Sequence, residues 1–133
     1  MSDLVEDRLA IIELINLHGH LFDNGELERL DELFTDDVRY DVTHLGGGVL
    51  VGIEAIRAAA TQLGDANPVA HHVTNVVVTD QTTDTAHVRS KGLAVMTNGT
   101  TASATYEDHV VRTEAGWRLA HRTVRPRTKP LHP

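Results

Sequence analysis

One short stretch, from His18 to Gly25, concentrates side chains that could exchange protons. His18 lies on the border of an apolar helical face, and Asp23 lies where Asn24-Gly25 should end that helix. A carboxylate is poorly placed at a helix C-terminus, because the helix dipole there favours cations. Asp23 is therefore a candidate functional residue. The alternative is structural, since Asp, Asn and Gly are also ordinary turn formers.

Apolar periodicity predicts the helices that position these groups. Apolar residues recur every three or four positions from Leu9 to Phe22, which predicts an amphipathic helix ending at about Asp23. Ser2 or Asp3 can cap its N-terminus. A short second helix is predicted from Glu26 to about Phe34, and a third from Ile53 to about Leu63.

Between the second and third helices the pattern changes to that of a strand. Val38, Tyr40 and Val42 alternate with polar residues, which predicts a half-buried strand. The loop Gly46–Gly48 follows. It lacks a subsequent Lys and Ser or Thr, so it is not a phosphate-binding loop.

The second half of the chain has the period of two that is typical of strands. Four long strands are predicted, at 69–79, 85–97, 100–112 and 117–125. Asn98-Gly99 is a two-residue hairpin signal. Counted through that turn, Leu93 pairs with Ala104 and Lys91 with Tyr106. The order of elements predicts an α+β fold, with one domain over 1–126 and a loose basic tail over 127–133.

Composition narrows the possible functions of this 133-residue chain. Its net charge of −7 argues against a nucleic-acid partner. The absence of cysteine excludes disulfides, thiol nucleophiles and thiolate metal sites. No apolar run approaches the roughly 20 residues that span a bilayer, and the N-terminus does not resemble a signal peptide. We therefore expect a cytoplasmic protein that binds neither nucleic acid nor membrane.

Several short motifs, taken in order, resemble the SnoaL-like branch of the nuclear transport factor 2-like superfamily. They are Asp23-Asn-Gly25, Leu33-Phe-Thr-Asp-Asp-Val38, Gly52-Ile-Glu-Ala-Ile56, His71-His-Val-Thr-Asn75, Tyr106-Glu-Asp108 and Gly116-Trp-Arg-Leu-Ala-His-Arg122. The resemblance covers nearly the whole chain. It implies a cone-shaped α+β barrel, in which the helices pack on the concave face of a strongly curved, mixed but mainly antiparallel sheet.

The resemblance is greatest to scytalone dehydratase-like, hexachlorocyclohexane dehydrochlorinase-like and bile-acid dehydratase-like proteins. Those lyases abstract a proton with an Asp-His dyad, which Asp23 and His71 match. His18 stands where such enzymes have Lys or Tyr. Arg122 matches an Arg of the dehydrochlorinase, although Arg125 is close enough in sequence to serve instead. The general base of ketosteroid isomerase falls on Val42, which argues against that mechanism.

An Asp beside a His orients the imidazole ring and stabilises its protonated form, so the His becomes a better base. The resemblance therefore implies a cofactor-independent lyase, a dehydratase or dehydrohalogenase, acting on a small, mostly apolar cyclic molecule. His18, Tyr40 and Arg122 would surround the leaving or carbonyl oxygen. The expected substrate-binding residues are Phe22, Asn75, Leu93, Ala104, Tyr106 and Asp108. No metal site is expected, because no His-rich ligand motif is apparent.

Structural alternatives accompany each of these roles. His71 could be a structural histidine, and Arg122 could be an ion-pair partner, for instance of Asp108. The whole domain could bind a small molecule or dimerise without catalysis, or transfer a proton as an isomerase does. Strand alternation places Val76 and Val78 on the outer face of the sheet, which predicts a homodimer or higher homo-oligomer.

Overall fold

A computed structural model describes residues 3–133 and shows an α+β fold, as the sequence predicts. Its single sheet has six strands in the order β2-β1-β6-β5-β4-β3, and only the β1–β6 pair is parallel. The strands are β1 (Phe34–Asp41), β2 (Val49–Val51), β3 (Ala70–Thr79), β4 (Thr85–Val95), β5 (Thr101–Thr113) and β6 (Gly116–Pro126). The α-helices are α1 (Leu4–Asp23) and α2 (Ile53–Leu63). None of the helices in this part of the chain combines the length and apolarity needed to cross a lipid bilayer.

Helix α1 begins at a side-chain cap and buries one face. The Asp3 carboxylate accepts hydrogen bonds from the N–H groups of Val5 and Glu6, which satisfies two of the donors left free at a helix start. The alternative cap, Ser2, lies outside the described residues. The buried face of α1 and the strands behind it form one apolar core. That core includes Ile11, Ile15, Leu21, Leu30, Phe34, Val38, Val88, Val110 and Leu119.

The prediction of a second α-helix from Glu26 to Phe34 was wrong in type and in its end. The structure has a 3₁₀-helix, Leu27–Glu32, and Phe34 already belongs to β1. The carbonyl of Leu33 accepts a hydrogen bond from the N–H of Leu119 on β6 at 2.7 Å, and this pairing ends the helix. The short strand β2 was not predicted, because three residues after a glycine loop give too little alternation to recognise.

A β-bulge in β3 exchanges the two faces of that strand. Asn75 has a φ of 57°, and the pairing register with β4 shifts between Thr74 and Val77. As a result Val78 is buried in the core, and Val77 is exposed on the outer face. The prediction that Val76 and Val78 lie on the outer face was therefore wrong, since Val76 also packs against the core.

The pairing of β4 with β5 differs by one residue from the predicted register. Gly92 pairs with Ala104 and Leu93 with Ser103, so the predicted Leu93–Ala104 and Lys91–Tyr106 pairs were wrong. The cause is the loop, where the N–H of Gly99 bonds the Met96 carbonyl and the N–H of Met96 bonds the Thr100 carbonyl. The loop thus holds three residues, with Gly99 at a φ of 85°, instead of two.

Candidate active site

Asp23 and His71 meet where the end of α1 lies against the start of β3. Asp23 Oδ1 is 2.6 Å from His71 Nδ1, and Asp23 Oδ2 accepts a hydrogen bond from the backbone N–H of His71 at 2.9 Å. Both oxygens of one carboxylate therefore hold one residue, which fixes the imidazole in position and in orientation. With Nδ1 engaged by the carboxylate, Nε2 is the nitrogen left to accept a proton.

The close approach of α1 to β3 depends on Gly19. A Cβ atom at this position would lie 2.5 Å from the carbonyl oxygen of His71, well inside van der Waals contact. Glycine inside a helix is less favourable than alanine by about 0.5–1 kcal/mol, so its presence here calls for such a reason. A lone glycine within a strong helical pattern is the signal in the sequence that points to this close approach.

A cavity of about 610 Å³ opens beside the dyad. The end of α1, the connection from α2 to β3, and the β4–β5 loop supply its walls. The lining residues are Phe22, Asp23, Gly25, Leu27, Ala60, Gly64, Asp65, Asn67, Pro68, Val69, His71 and Thr97. Two of the predicted catalytic residues and one of the predicted substrate-binding residues therefore share a cavity large enough for a small cyclic molecule.

Behind the dyad, His18 is buried and bonded to Tyr40. His18 Nε2 is 3.1 Å from the Tyr40 hydroxyl, and Phe22 stacks on the His18 ring with centroids 4.4 Å apart. Burial lowers the pKa of His18 well below its usual value, and the positive charge of Arg122 and proximity to His71 lower it further. Burial raises the pKa of Tyr40. Both groups are therefore uncharged at neutral pH and can act on a ligand only through hydrogen bonds.

Arg122 and Asp108 form a fully buried ion pair deeper in the cone. Arg122 Nε is 2.7 Å from Asp108 Oδ1, and Nη2 is 2.8 Å from Oδ2. Burial alone would lower the pKa of Arg122, but the charge and hydrogen bonds of Asp108 outweigh it and raise that pKa. The guanidinium also lies over the ring of Tyr106, 4.2 Å from its centroid, and burial raises the pKa of Tyr106 to about 12. Arg122 is thus a structural ion-pair partner of Asp108, whatever else it does.

The geometry also decides which arginine faces the interior. Arg125 is exposed and bonded to Glu107 at 2.5 Å and to His44 at 3.0 Å, so Arg122 is the interior residue. Arg122 Nη1 is buried without a hydrogen-bond partner, and so is the hydroxyl of Ser90, a residue that the sequence did not single out. Buried polar atoms in this state are uncommon and mark a place where a polar group of a ligand or water could bind.

The remaining predicted substrate-binding residues are divided between the two faces of the sheet. Ala104 and Tyr106 face the interior with Ser90, and Gly92 leaves the space that the Tyr106 ring fills. Leu93 lies on the outer face and is 41% exposed. Asn75 is exposed at the bulge of β3. Neither Leu93 nor Asn75 lines the cavity beside the dyad. Within residues 3–133 no group of three or more His, Asp or Glu side chains is arranged to hold a metal ion.

Comparison with known proteins places the chain in a family. The chain is similar to an NTF2-like protein with a cystatin-like fold from Novosphingobium aromaticivorans, with a TM-score of 0.80, 30% identity, and coverage of 96% of this chain and 86% of that chain. A family model described as the SnoaL-like domain matches residues 3–123. The chain therefore belongs to the SnoaL-like domain family, as the sequence motifs indicate.

Two further solved structures extend the comparison. A candidate aromatic ring hydroxylase from Novosphingobium aromaticivorans is 31% identical, with a TM-score of 0.77 and coverage of 97% of this chain and 94% of that chain. A hexachlorocyclohexane dehydrochlorinase from Novosphingobium barchaimii is 20% identical, with a TM-score of 0.75 and coverage of 92% and 90%. At that identity the second likeness concerns the fold alone. No curated protein matches the chain.

Proposed function

We propose that the protein is a cofactor-independent lyase that removes a proton and a leaving group from a small, mostly apolar cyclic molecule. The observation that carries the proposal is the contact of Asp23 with His71 through both carboxylate oxygens, beside a cavity of about 610 Å³. A general base needs a partner that orients it and a space in which the substrate can reach it. Asp23 is the orienting partner of His71, and the cavity is the space. No other Asp–His pair within residues 3–133 combines these two features.

The proposed reaction begins when His71 Nε2 accepts a proton from a substrate carbon. The electron pair of that C–H bond forms a new double bond, and the leaving group departs from the neighbouring carbon with its bonding electrons. The carboxylate of Asp23 stabilises the imidazolium formed in this step. A leaving hydroxide takes the proton from the imidazolium and departs as water, whereas a halide departs as the anion and the proton passes to solvent.

The groups behind the dyad would bind the leaving or carbonyl oxygen. Tyr40, His18 and Arg122 form a chain of polar side chains whose members are held by burial and by Asp108. Because His18 and Tyr40 are uncharged and the charge of Arg122 is balanced, this chain suits a neutral oxygen better than a separated anion. Phe22 lies between this chain and the cavity, since it lines the cavity and stacks on His18.

One solved relative supports a cyclic substrate. The name of the 31% identical protein concerns an aromatic ring. The cavity walls are mixed, with apolar contacts from Phe22, Leu27 and Val69 and polar groups from the dyad. This combination fits a molecule that is mostly apolar and carries one or two polar substituents.

The test is a screen of hydroxylated and halogenated cyclic compounds, followed by kinetics of Asp23→Asn and His71→Gln. Each change preserves much of the shape and should lower turnover about 10²–10⁴-fold, the usual worth of a positioned base. The double variant should be little worse than the worse single variant, because both residues serve one proton transfer. His72→Gln is the matched control, since His72 is adjacent in sequence but exposed on the opposite face. Turnover that survives both dyad changes would refute the mechanism.

Binding without catalysis is the second candidate. The cavity is lined by Asp23 and His71 but not by Tyr40 or Arg122, so the polar groups proposed to bind the leaving oxygen do not line it. If the protein only binds, the dyad variants should keep nearly normal affinity and no variant should show turnover. An isomerase-type proton transfer is a third candidate, and product analysis distinguishes it, because an isomerase returns the proton to the substrate and releases nothing.

A further inference from the structure

We propose that Gly19 is a positioning residue for the dyad, and that its missing side chain sets the distance between Asp23 and His71. This inference rests on the proposed function for its catalytic consequence. The claim that Gly19 sets this distance rests only on the contacts of α1 with β3. Gly19 does not line the cavity and has no side chain to contact a substrate, so it acts only through the two residues that do.

The geometry connects the three residues through a single peptide segment. The carbonyl of His71 lies against Gly19, while the N–H and imidazole of the same residue are bonded to Asp23. Gly19 and Asp23 are four positions apart, so they lie on one face of the helix, about one turn or 6 Å along its axis. The helix therefore contacts both ends of His71, with its backbone at one point and its carboxylate at the other.

A side chain at position 19 would break this arrangement in a predictable direction. A Cβ atom 2.5 Å from a backbone oxygen cannot be accommodated by a rotamer change, because neither atom belongs to a movable side chain. The end of α1 must instead move away from β3. Asp23 would move with it, and a hydrogen bond of 2.6 Å between its Oδ1 and His71 Nδ1 does not survive a displacement of about 1 Å.

The experiment uses Gly19→Ala in the full chain and observes His71 by NMR without any substrate. In the wild type, the proton on Nδ1 should give a downfield, slowly exchanging resonance, and ¹⁵N shifts should show one dominant tautomer. We expect both Gly19→Ala and Asp23→Ala to lose that resonance and to mix the tautomers. Asn16→Ala is the control, because Asn16 is an exposed residue of the same helix. It should leave the His71 signals unchanged.

A rescue distinguishes positioning from general destabilisation. Asp23→Glu adds one methylene, so in the Gly19→Ala background the longer side chain should reach His71 again and restore the resonance. If Gly19→Ala is largely unfolded, the spectra are recorded in trimethylamine N-oxide, which favours the folded state. A folded Gly19→Ala protein with a wild-type His71 resonance would overturn the proposal, and so would a lost resonance that Asp23→Glu does not restore at all.

The proposed function is tested separately by turnover in the same variants. If the dyad is the general base, Gly19→Ala should reduce turnover at least tenfold, and the Asp23→Glu rescue should recover part of it, while KM changes little. A His71 resonance that is lost and restored without any change in turnover would leave Gly19 as a positioning residue and refute the general-base role.

Discussion

The buried His18 should make the protein sensitive to mild acid. His18 is 2% exposed, and its pKa is lowered by burial, by Arg122 and by His71. In the unfolded chain its pKa returns to about 6.5. Below that pH the unfolded state therefore binds a proton that the native state rejects. Its contribution to stability is complete above about pH 6.5 and is lost progressively as the pH falls below that value.

The magnitude follows from proton linkage. One proton taken up only by the unfolded state reduces the free energy of unfolding by about 1.4 kcal/mol per pH unit. Between pH 6.5 and pH 5.0 the loss due to His18 is therefore about 2 kcal/mol, a large share of the roughly 5–15 kcal/mol by which domains are stable. This value applies to a native state in which His18 stays neutral, which is the direction in which burial and the charge of Arg122 shift its pKa.

Urea unfolding of the wild type and of His18→Gln at several pH values measures the effect. Gln cannot be protonated but can still bond the Tyr40 hydroxyl, so it removes the titration and keeps a polar partner. The variant should be less stable at pH 7.5, and the difference should shrink by about 2 kcal/mol at pH 5.0. His20→Gln is the control, since His20 is an exposed residue two positions away.

The titration of other groups does not affect the comparison of the wild type with His18→Gln. The pKa of His109 is also lowered, by burial and then by His87 and His121, so the wild type should lose stability in acid for that reason too. The loss from His109 is present in every variant and cancels in the difference. If wild type and His18→Gln lost stability in parallel between pH 6.5 and 5.0, His18 would have to be protonated in the folded state, and the neutral His18–Tyr40 pair would be refuted.

Two further predictions concern packing and assembly. Asp108→Ala should cost about 3–5 kcal/mol of unfolding free energy in urea, because it leaves the Arg122 charge buried and unpaired; Arg122→Met combined with Asp108→Leu should cost clearly less than Asp108→Ala alone. The outer face of the sheet, where Val77 and Leu93 are exposed, should pair with a second copy of the chain. Light scattering at micromolar concentration should show a homodimer that Val77→Lys dissociates, and a wild-type monomer would contradict this.

Sequence periodicity was sufficient for the long helices and strands, but not for the short elements or for the register of two strand pairs. Helix α2 has the predicted bounds, and the four long strands begin and end within about two residues of theirs, because burial imposes a period that the residue types display. In contrast, one extra residue at Asn75 reverses the faces of the rest of β3, and one extra residue in the loop before Thr100 shifts the pairing of β4 with β5 by one position. Neither insertion changes the local pattern enough to be recognised from the chain alone.

The predicted positions of Asp23 and His71 were independent of these two irregularities. His71 precedes the bulge in β3, so its inward direction does not depend on Asn75, and Asp23 is placed by the end of a helix whose length the sequence predicts. The inward direction predicted for Leu93 depended on its pairing with Ala104, which was counted through the loop, so it was lost when the register proved to be shifted. A prediction that a residue belongs to a site is therefore more reliable when it does not depend on strand pairing counted through bulges or turns.

The contact between Asp23 and His71 itself could not have been derived from spacing. The two residues are 48 positions apart, and only the family resemblance brought them together before the structure did. What makes the contact possible is the absence of a side chain at Gly19, and an absence gives no chemical signal in a search for reactive residues. A helical glycine facing a predicted strand is thus worth examining as closely as the histidines, because the distance between two elements decides whether an acid and a base can share a proton.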